Sequence, residues 1–128
     1  MDRKTDMKEG EIVAVPVAAS TVIEAGKLVA RDASGYAVEA SDVAGLVVLG
    51  RAEGRYDNSA GANGAINALV RRRMAFKWDN AETNAVTIAH VGSSVFVADD
   101  ETVSIDGGTN DIVVGKCIGV DTDGVWVE

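Results

Sequence analysis

Few side chains in this sequence could support catalysis, and their spacing is unfavourable. The chain has a single histidine, His90, so a nucleophilic triad that depends on histidine would have to use it. Ser93 and Ser94 lie close by, but no G-x-S-x-G sequence surrounds them. His90 stands among apolar residues at the entrance to a turn, which favours a structural histidine with one hydrogen bond over a general base. The sequence therefore predicts no catalytic residue and no enzyme.

Carboxylates cluster at two predicted turns, where they could bind a cation. The segments Asp99-Asp100-Glu101 and Asp121-Thr122-Asp123-Gly124 supply the oxygen ligands that calcium takes. Neither continues into a calcium loop with its closing glutamate, and aspartate and glycine are common in hairpin turns without a metal. Cys117 is the only cysteine, which excludes an intrachain disulfide and a cysteine-based zinc site. We expect no metal and no cofactor.

Composition argues against several classes of partner. A net charge of −8 repels a phosphate backbone, so we expect no nucleic acid as a partner, although Arg71 to Arg73 form a local basic run. Aromatic residues make up 5% of the chain, too few to suggest the platforms of a typical sugar-cleaving groove. The N-terminal residues lack the apolar segment of a secretory signal, and no apolar run approaches the ~18 residues that a bilayer requires. We expect a soluble protein without membrane association, made in a reducing cytoplasm.

Strands are predicted to position these side chains. With fourteen glycines and one proline, the chain suits many tight turns, and about nine or ten short apolar runs alternate with turn residues. This pattern predicts an all-β fold, a small barrel or sandwich with little helix. Pro16 cannot donate to a ladder, so the first strand, over residues 11–19, is expected at a sheet edge or beside a bulge. Residues 11–128 are expected to form a single β domain after a flexible, charge-rich arm over residues 1–10.

The longest apolar-rich stretch, Ala65 to Trp78, is predicted to be one strand. A period of two places on one face Val70, Met74, Phe76 and Trp78, and on the other Arg71, Arg73 and Lys77. A helical period leaves no clean apolar stripe. This strand prediction has one unfavourable consequence, because it places the charged side chain of Arg72 on the apolar face. A charge there must reach a carboxylate, extend to the edge of the sheet or face another subunit. We therefore expect Arg72→Ala to perturb stability or assembly more than Arg71→Ala.

Four other segments carry local expectations. Thr21 and Glu24 could form a capping box for one helical turn, although a plain loop fits as well. Val43 to Glu53 is too continuously apolar for one wet face, so both of its faces should be covered. Residues 54–64 form the main loop and lack the G-K-[ST] of a phosphate-binding loop. Val86 and Ile88 are expected to open a short strand.

Two parts of the chain resemble each other. Gly26–Asp32, G-K-L-V-A-R-D, is similar to Gly92–Asp99, G-S-S-V-F-V-A-D, and each precedes a hairpin and then an apolar strand that contains two glycines. These glycines are Gly45 and Gly50 in the first part and Gly115 and Gly119 in the second. The offsets fit a weak internal duplication, and chance similarity among strands rich in valine, alanine and glycine is the alternative.

The sequence also resembles a family of small bacteriophage head proteins. The motifs are V-G-S-S-V-F-V-A-D-D-E-T-V-S over Val91–Ser104 and V-V-G-K-C-I-G-V-D-T-D-G-V-W-V over Val113–Val127. Glu24–Ala40 and Val43–Gly50 are similar to the same family. Its members are capsid decoration proteins, or head cement proteins, and many are catalogued as a domain of unknown function.

The resemblance implies a protein that binds the outside of an assembled phage head and locks neighbouring capsid subunits together. It implies the major capsid protein as the partner, a homotrimer at least on the capsid, and a location on the outer surface of the virion. A function of this kind needs no active site. It needs a rigid β body, a segment that becomes ordered on the capsid, and an interface.

Three groups of residues are candidates for the capsid or subunit interface. They are the arm cations Arg3, Lys4 and Lys8, the arginines Arg71, Arg72 and Arg73, and the aromatic pair Phe76 and Trp78. Arginine pairs with carboxylates in bidentate geometry, and large aromatic side chains are enriched at binding hot spots. Ordinary core packing is the alternative for the two aromatic residues.

Two other functions stay open at this point. One is a tail, spike or baseplate β-domain, although a long trimeric fibre would show further repeats and this chain has at most two. The other is a small ligand-binding or carbohydrate-binding β module, which would need a concave aromatic or polar platform.

Overall fold

The computed structural model describes residues 1–6 and 10–128, and the chain is all-β, as predicted. The described residues contain twelve strands and one short 3-10 turn, at Ile88–His90. The strands are β1 Ile12–Pro16, β2 Thr21–Ile23, β3 Leu28–Arg31, β4 Ala37–Glu39, β5 Val47–Ala52, β6 Tyr56–Asn58, β7 Asn67–Arg71, β8 Phe76–Asn80, β9 Ser94–Val97, β10 Thr102–Ser104, β11 Val113–Asp121 and β12 Gly124–Val127. There are more strands than the nine or ten expected, partly because β2 and β6 are only three residues long and carry weak patterns.

Ten of the described strands form two five-stranded units. The N-terminal sheet has the order β1-β7-β5-β3-β4, and a single parallel bridge between Val17 and Ala37 joins its two edges. The C-terminal barrel has the order β10-β8-β12-β11-β9 and closes through parallel pairing of β8 with β10. β2 and β6 form a separate antiparallel pair. The predicted edge position of the first strand is confirmed, since β1 lies at the edge of the N-terminal sheet and ends at Pro16.

The two units repeat one pairing scheme. The order β4-β3-β5-β7-β1 in the N-terminal sheet corresponds strand for strand to β10-β9-β11-β12-β8 in the C-terminal barrel. The single bridge between Val17 and Ala37 takes the place of the pairing between Asn80 and Val103 that helps to close the barrel. The predicted likeness of two segments thus falls on β3 and β9, which hold equivalent positions in the two units.

The repeat extends to a bulge. The register between β3 and β5 shifts where Gly50 faces Val29, and the register between β9 and β11 shifts where Gly115 faces Val95. A Cβ on either glycine would overlap a backbone carbonyl oxygen of the neighbouring strand or segment. Both positions therefore require glycine for close approach of two backbones. Gly50 therefore corresponds to Gly115 in the repeat.

Two apolar clusters form the core. One lies within the N-terminal sheet and contains Val17, Ile23, Val29, Ala37, Ala52, Ala68 and Val70. The other fills the C-terminal barrel and also takes in Leu28, Ala30, Ala40 and Leu46 from the first half of the chain. Within β5, Leu49 packs against the first cluster and Val48 against the second. The expectation that this segment is covered on both faces holds for these two residues, whereas Val47 is exposed.

The stretch from Ala65 to Trp78 is two strands and not one. β7 ends at Arg71, β8 begins at Phe76, and residues 72–75 form an exposed connection, named here the arginine turn. Arg73 has a φ of 61°, a left-handed conformation that interrupts an extended strand. Because the period of two breaks there, the placement of Arg72 on the apolar face is wrong. The reason to expect a larger stability effect from Arg72→Ala than from Arg71→Ala disappears with it.

Two local expectations are also wrong. Thr21–Ile23 is neither a helical turn nor a loop but strand β2, because β6, inside the predicted main loop, supplies a pairing partner. Val86 and Ile88 do not open a strand. Val86 is buried in the core of the C-terminal barrel, and Ile88 begins the 3-10 turn.

Candidate interaction site at the seam

The arginine turn links the two units and lies at the seam between them. Arg72, Arg73, Met74 and Ala75 are all exposed, although the chain on either side enters a strand. The backbone N–H of Arg72 donates to the carbonyl oxygen of Glu11 at 2.7 Å, which ties the turn to the start of the β body. The left-handed φ of Arg73 costs a residue with a Cβ on the order of 1 kcal/mol. The fold therefore holds two arginine side chains outward at a fixed place.

A cleft of about 100 Å³ opens beside this turn, and we name it the seam cleft. Its floor is apolar and is drawn from both units: Leu28, Val48, Phe76, Trp78, Val114 and Val127. Its rim includes Arg72, Arg73 and Met74 from the turn and Glu128 after β12. Four of the predicted interface residues, Arg72, Arg73, Phe76 and Trp78, therefore line one concave surface.

Arg71 does not belong to that surface. It lies in β7, where its Nε donates to Oε1 of Glu53 at 2.7 Å, and Arg51 donates to the same oxygen at 2.8 Å. The hydrogen bond from Arg71, followed by that from Arg51, lowers the pKa of the Glu53 carboxyl. The predicted arginine triplet is thus divided between an ion-pair network on the N-terminal sheet and two outward side chains.

Phe76 and Trp78 are part of the molecule's own packing. Trp78 is 5% exposed, and Phe76 packs partly buried against the same cluster, with 6.1 Å between their ring centroids. Cζ of Arg51 lies 5.0 Å from the centroid of the Phe76 ring, a cation–π geometry. The core-packing alternative therefore describes both residues, and they reach the surface only as the floor of the seam cleft.

The N-terminal arm joins the body beside the arginine turn. A Cβ placed on Gly10 would lie 3.2 Å from Cζ of Arg73, so the arm leaves the body against that guanidinium. Arg3 and Lys4 are exposed, and Nε of Arg3 donates to Oγ1 of Thr5 at 3.1 Å. The third predicted arm cation, Lys8, lies outside the described residues.

The groups that could have suggested other chemistry have structural partners. Nδ1 of His90 accepts a hydrogen bond from the backbone N–H of Thr87 at 2.9 Å, in the 3-10 turn. Asp121 accepts backbone N–H groups of Asp123 and Gly124, and Lys77 lies 3.0 Å from it. The hydrogen bond from Lys77 is the largest of the contacts that lower the pKa of Asp121. Across residues 1–6 and 10–128, no group of three or more metal-type side chains gathers to hold an ion.

Sequence reasoning missed a polar contact across the seam. Nζ of Lys27 lies 3.2 Å from Oδ1 of Asp100 and 2.8 Å from Oε2 of Glu101, so the N-terminal sheet binds the β9–β10 turn of the barrel. The Asp100 carboxylate lies close enough to Glu39 to affect its ionisation, and Oε2 of Glu39 is buried without a partner among the described residues. Burial, reinforced by the Asp100 carboxylate, raises the pKa of Glu39 to about 7. No spacing in the sequence signals this contact, because only the docking of the two units creates it.

Two further findings concern membrane-spanning helices and similar proteins. Among the described residues, no helix combines the length and the apolar character that crossing a membrane would require. Comparison of the chain with protein-family models, with curated proteins and with solved structures finds no match.

Proposed function

We propose that this protein is a structural virion protein that binds the outer surface of an assembled phage capsid and stabilises it. The observation that carries the proposal is the meeting of the arm and the arginine turn at the seam. Gly10 lies against Arg73, and the Glu11 carbonyl accepts the N–H of Arg72. The N-terminal arm and two outward guanidinium groups therefore lie at one place on the body, where they can contact the same partner surface.

The charge distribution supports a protein partner that presents carboxylates. The chain has a net charge of −8, so its surface as a whole repels other acidic surfaces. In the described part of the chain, neither Arg72 nor Arg73 lies within ion-pair distance of a carboxylate, whereas Arg51 and Arg71 both pair with Glu53. Arginines that have no ion-pair partner among the described residues form a local attractive site on an acidic protein, and arginine binds carboxylates with two parallel hydrogen bonds.

The mechanism is stabilisation by binding. A protein that binds only the assembled capsid lowers the free energy of that state by an amount set by its concentration and affinity. Repetition over a capsid lattice multiplies modest contacts, so each copy needs no large interface. The proposal includes the major capsid protein as the partner and a homotrimer on the capsid, as the resemblance to decoration proteins implies.

The tail-fibre alternative receives less support from the two-unit architecture. A stack of repeats needs the same apolar face on each unit. Leu28 and Val38 of the N-terminal sheet pack against the barrel, but the positions equivalent to them in the barrel are Ser94 and Ser104. The face that would receive a third unit is therefore less apolar than the face that receives the second.

Co-sedimentation with expanded phage heads stripped of their decoration tests the proposal. We expect saturable binding with a stoichiometry tied to the capsid lattice, and weaker binding at higher salt because charges contribute. Deletion of residues 1–10, and the double change Arg72→Glu/Arg73→Glu, should each weaken binding while circular dichroism stays that of a folded β protein. Arg55→Glu is the matched control, because Arg55 is an exposed arginine outside the seam cleft.

Absence of binding by the folded wild-type protein would overturn the proposal and move a tail or baseplate role to first place. Equal binding by the truncated protein would remove the arm from the interface.

A further inference from the structure

We infer that the seam cleft receives one aliphatic side chain from an extended, acidic segment of the protein partner. The inference deepens the proposed function, on which it rests for the identity of that partner as a capsid protein. It assigns the chemistry of the docking segment from the shape and the charges of the cleft.

The floor of the cleft explains the aliphatic anchor. Six apolar side chains from both units line it, so an apolar group placed there exchanges contact with water for apolar contact on the side that faces the floor. An apolar cavity of about 150 Å³ is large enough to bind benzene. At about 100 Å³, the seam cleft has room for one aliphatic side chain, and small-molecule sites are typically several times larger.

The rim explains the acidic flanks. Arg72 and Arg73 lie on the rim, and neither guanidinium is within ion-pair distance of a carboxylate in the described ranges. A segment that places an aliphatic side chain in the cleft brings its neighbouring residues within reach of both arginines. Carboxylates there would form charge-assisted hydrogen bonds, and lysines would be repelled. Glu128, also on the rim, opposes such a segment and limits its affinity.

The chain's own arm is a poorer match for the cleft. Its first ten residues contain three acidic side chains, Asp2, Asp6 and Glu9, and three basic ones, Arg3, Lys4 and Lys8. Such an arm has no excess of negative charge for the two arginines. A partner segment with an acidic excess fits the rim better, and occupation by the arm of a second copy becomes an outcome that the test can detect.

Peptide titration tests the inference without a capsid. Three capped pentapeptides serve as probes: Asp-Asp-Leu-Asp-Asp, the same peptide with glycine in place of leucine, and Lys-Lys-Leu-Lys-Lys. The indole N–H signal of Trp78 in a ¹H–¹⁵N spectrum reports the cleft, and the signal of Trp126, which is outside the cleft, is the internal control. We expect the acidic leucine peptide to shift the Trp78 signal at millimolar concentration, the other two to shift it far less, and Trp126 to be unaffected.

Variants sharpen the result. Arg72→Glu/Arg73→Glu should weaken the acidic leucine peptide about tenfold or more, Arg55→Glu should change it little, and Glu128→Gln should strengthen it. Arg73→Gly should weaken binding without loss of thermal stability, because glycine adopts the left-handed φ freely. A purely structural role for Arg73 would give the opposite pair of results.

Several outcomes would overturn the inference. Equal shifts from the glycine or the lysine peptide, or no shift of the Trp78 signal up to about 10 mM, would exclude an acidic segment with an aliphatic anchor. A Trp78 shift in the wild-type protein that grows with its own concentration and disappears in the variant without residues 1–10 would assign the cleft to a second copy.

The experiments can overturn the proposed function and the cleft inference independently of each other. Binding to heads without a peptide response would leave the proposed function standing and remove the cleft from it. A peptide response without binding to heads would leave an acidic-peptide site in a protein with another role.

Discussion

The N-terminal sheet and the C-terminal barrel share five strands in the same pairing order but close in different ways. The barrel joins β11 to β12 through residues 122 and 123 alone, and its edges pair along β8 and β10. The N-terminal sheet joins β5 to β7 through residues 53–66, which contain β6, and its edges meet at one bridge. A single connection thus accounts for much of the difference between the two units.

The long connection, residues 53–66, contributes side chains to the core of the N-terminal sheet. β6 pairs with β2, and Ile23 and Tyr56 of this pair pack in the N-terminal cluster. Asn58 is buried, and its Nδ2 donates to the carbonyl oxygens of Ala18 at 2.9 Å and Ala62 at 3.0 Å. The barrel has no such pair and is covered instead by the outer face of the N-terminal sheet. Each unit therefore completes its core with a different external element.

The two units also differ in the size of the side chains at equivalent core positions. Val15 of β1 and Trp78 of β8 occupy the same place in the repeat, since Val15 faces Ala68 and Trp78 faces Val125. Val15 is half-buried and Trp78 is buried. The barrel thus depends on one large side chain where the sheet uses a small one.

The largest effect is expected from truncation of Trp78. Trp78→Ala should destabilise the protein by about 3–5 kcal/mol, because it leaves a large cavity beneath the seam. Val15→Ala, the equivalent change in the N-terminal sheet, should cost clearly less. Urea denaturation followed by circular dichroism measures both, and equal losses would show that the two cores tolerate cavities alike.

Alanine at the paired bulge glycines should destabilise both units, and somewhat more at Gly50, whose φ of 159° is one that residues with a Cβ rarely adopt. Gly50→Ala and Gly115→Ala should each destabilise by about 1–3 kcal/mol, because the new Cβ overlaps a carbonyl oxygen in either place. Gly92→Ala is a useful contrast, because a Cβ there meets nothing within 4 Å and only its φ of 92° opposes alanine. Thermal unfolding of the three variants checks the equivalence, and a large difference between Gly50→Ala and Gly115→Ala would break it.

The pair of strands β2 and β6, which has no counterpart in the barrel, can be destabilised by a change at Asn58. Asn58→Ala should destabilise by about 1–3 kcal/mol, because buried carbonyl oxygens lose their donor. Hydrogen exchange should show loss of protection in β2 and β6 before any loss in the barrel. Simultaneous loss in both units would mean that the connection supports the whole protein.

The smallest expected effect is a dependence of the protein's stability on pH, which arises from Glu39 at the seam. The folded-state pKa of Glu39, about 7, lies above its ordinary value of 4.5, so the folded protein binds this proton more tightly than the unfolded chain does. The stability that this provides is complete below about pH 4.5 and is lost as the pH rises to about 7. Lys27 offsets part of the loss, and Asp100, Glu24 and Glu101 add negative charge nearby.

Glu39→Gln should remove this decline. The variant should show a flatter melting temperature between pH 4.5 and 7 and should exceed the wild-type protein in stability at pH 8. Glu82→Gln, a change at an exposed carboxylate away from the seam, is the control. A wild-type stability that is constant over this range would contradict the raised pKa of Glu39.

Much of the fold was predictable because strands carry their signal locally. The all-β class and the edge position of β1 follow from alternating apolar residues, frequent glycines and Pro16. The failures have a common cause. β2, β6 and the break at Arg73 depend on what the neighbouring segment does, and period-two counting through residues 72–75 gave Arg72 the wrong face.

For the candidate site, the sequence by itself determined which groups are available: three adjacent arginines, two aromatic residues and an arm of mixed charge, with no set of residues spaced for catalysis. The tertiary structure decided how they combine. Arg71 pairs with Glu53, while Arg72 and Arg73 project over a cleft whose floor joins Leu28 to Trp78 and Val127. Those partners lie far apart along the chain, and contacts of that kind form only when two units dock. The local alternation of apolar and polar residues therefore determines most of the strands, whereas packing between distant parts of the chain determines which side chains meet at the seam cleft.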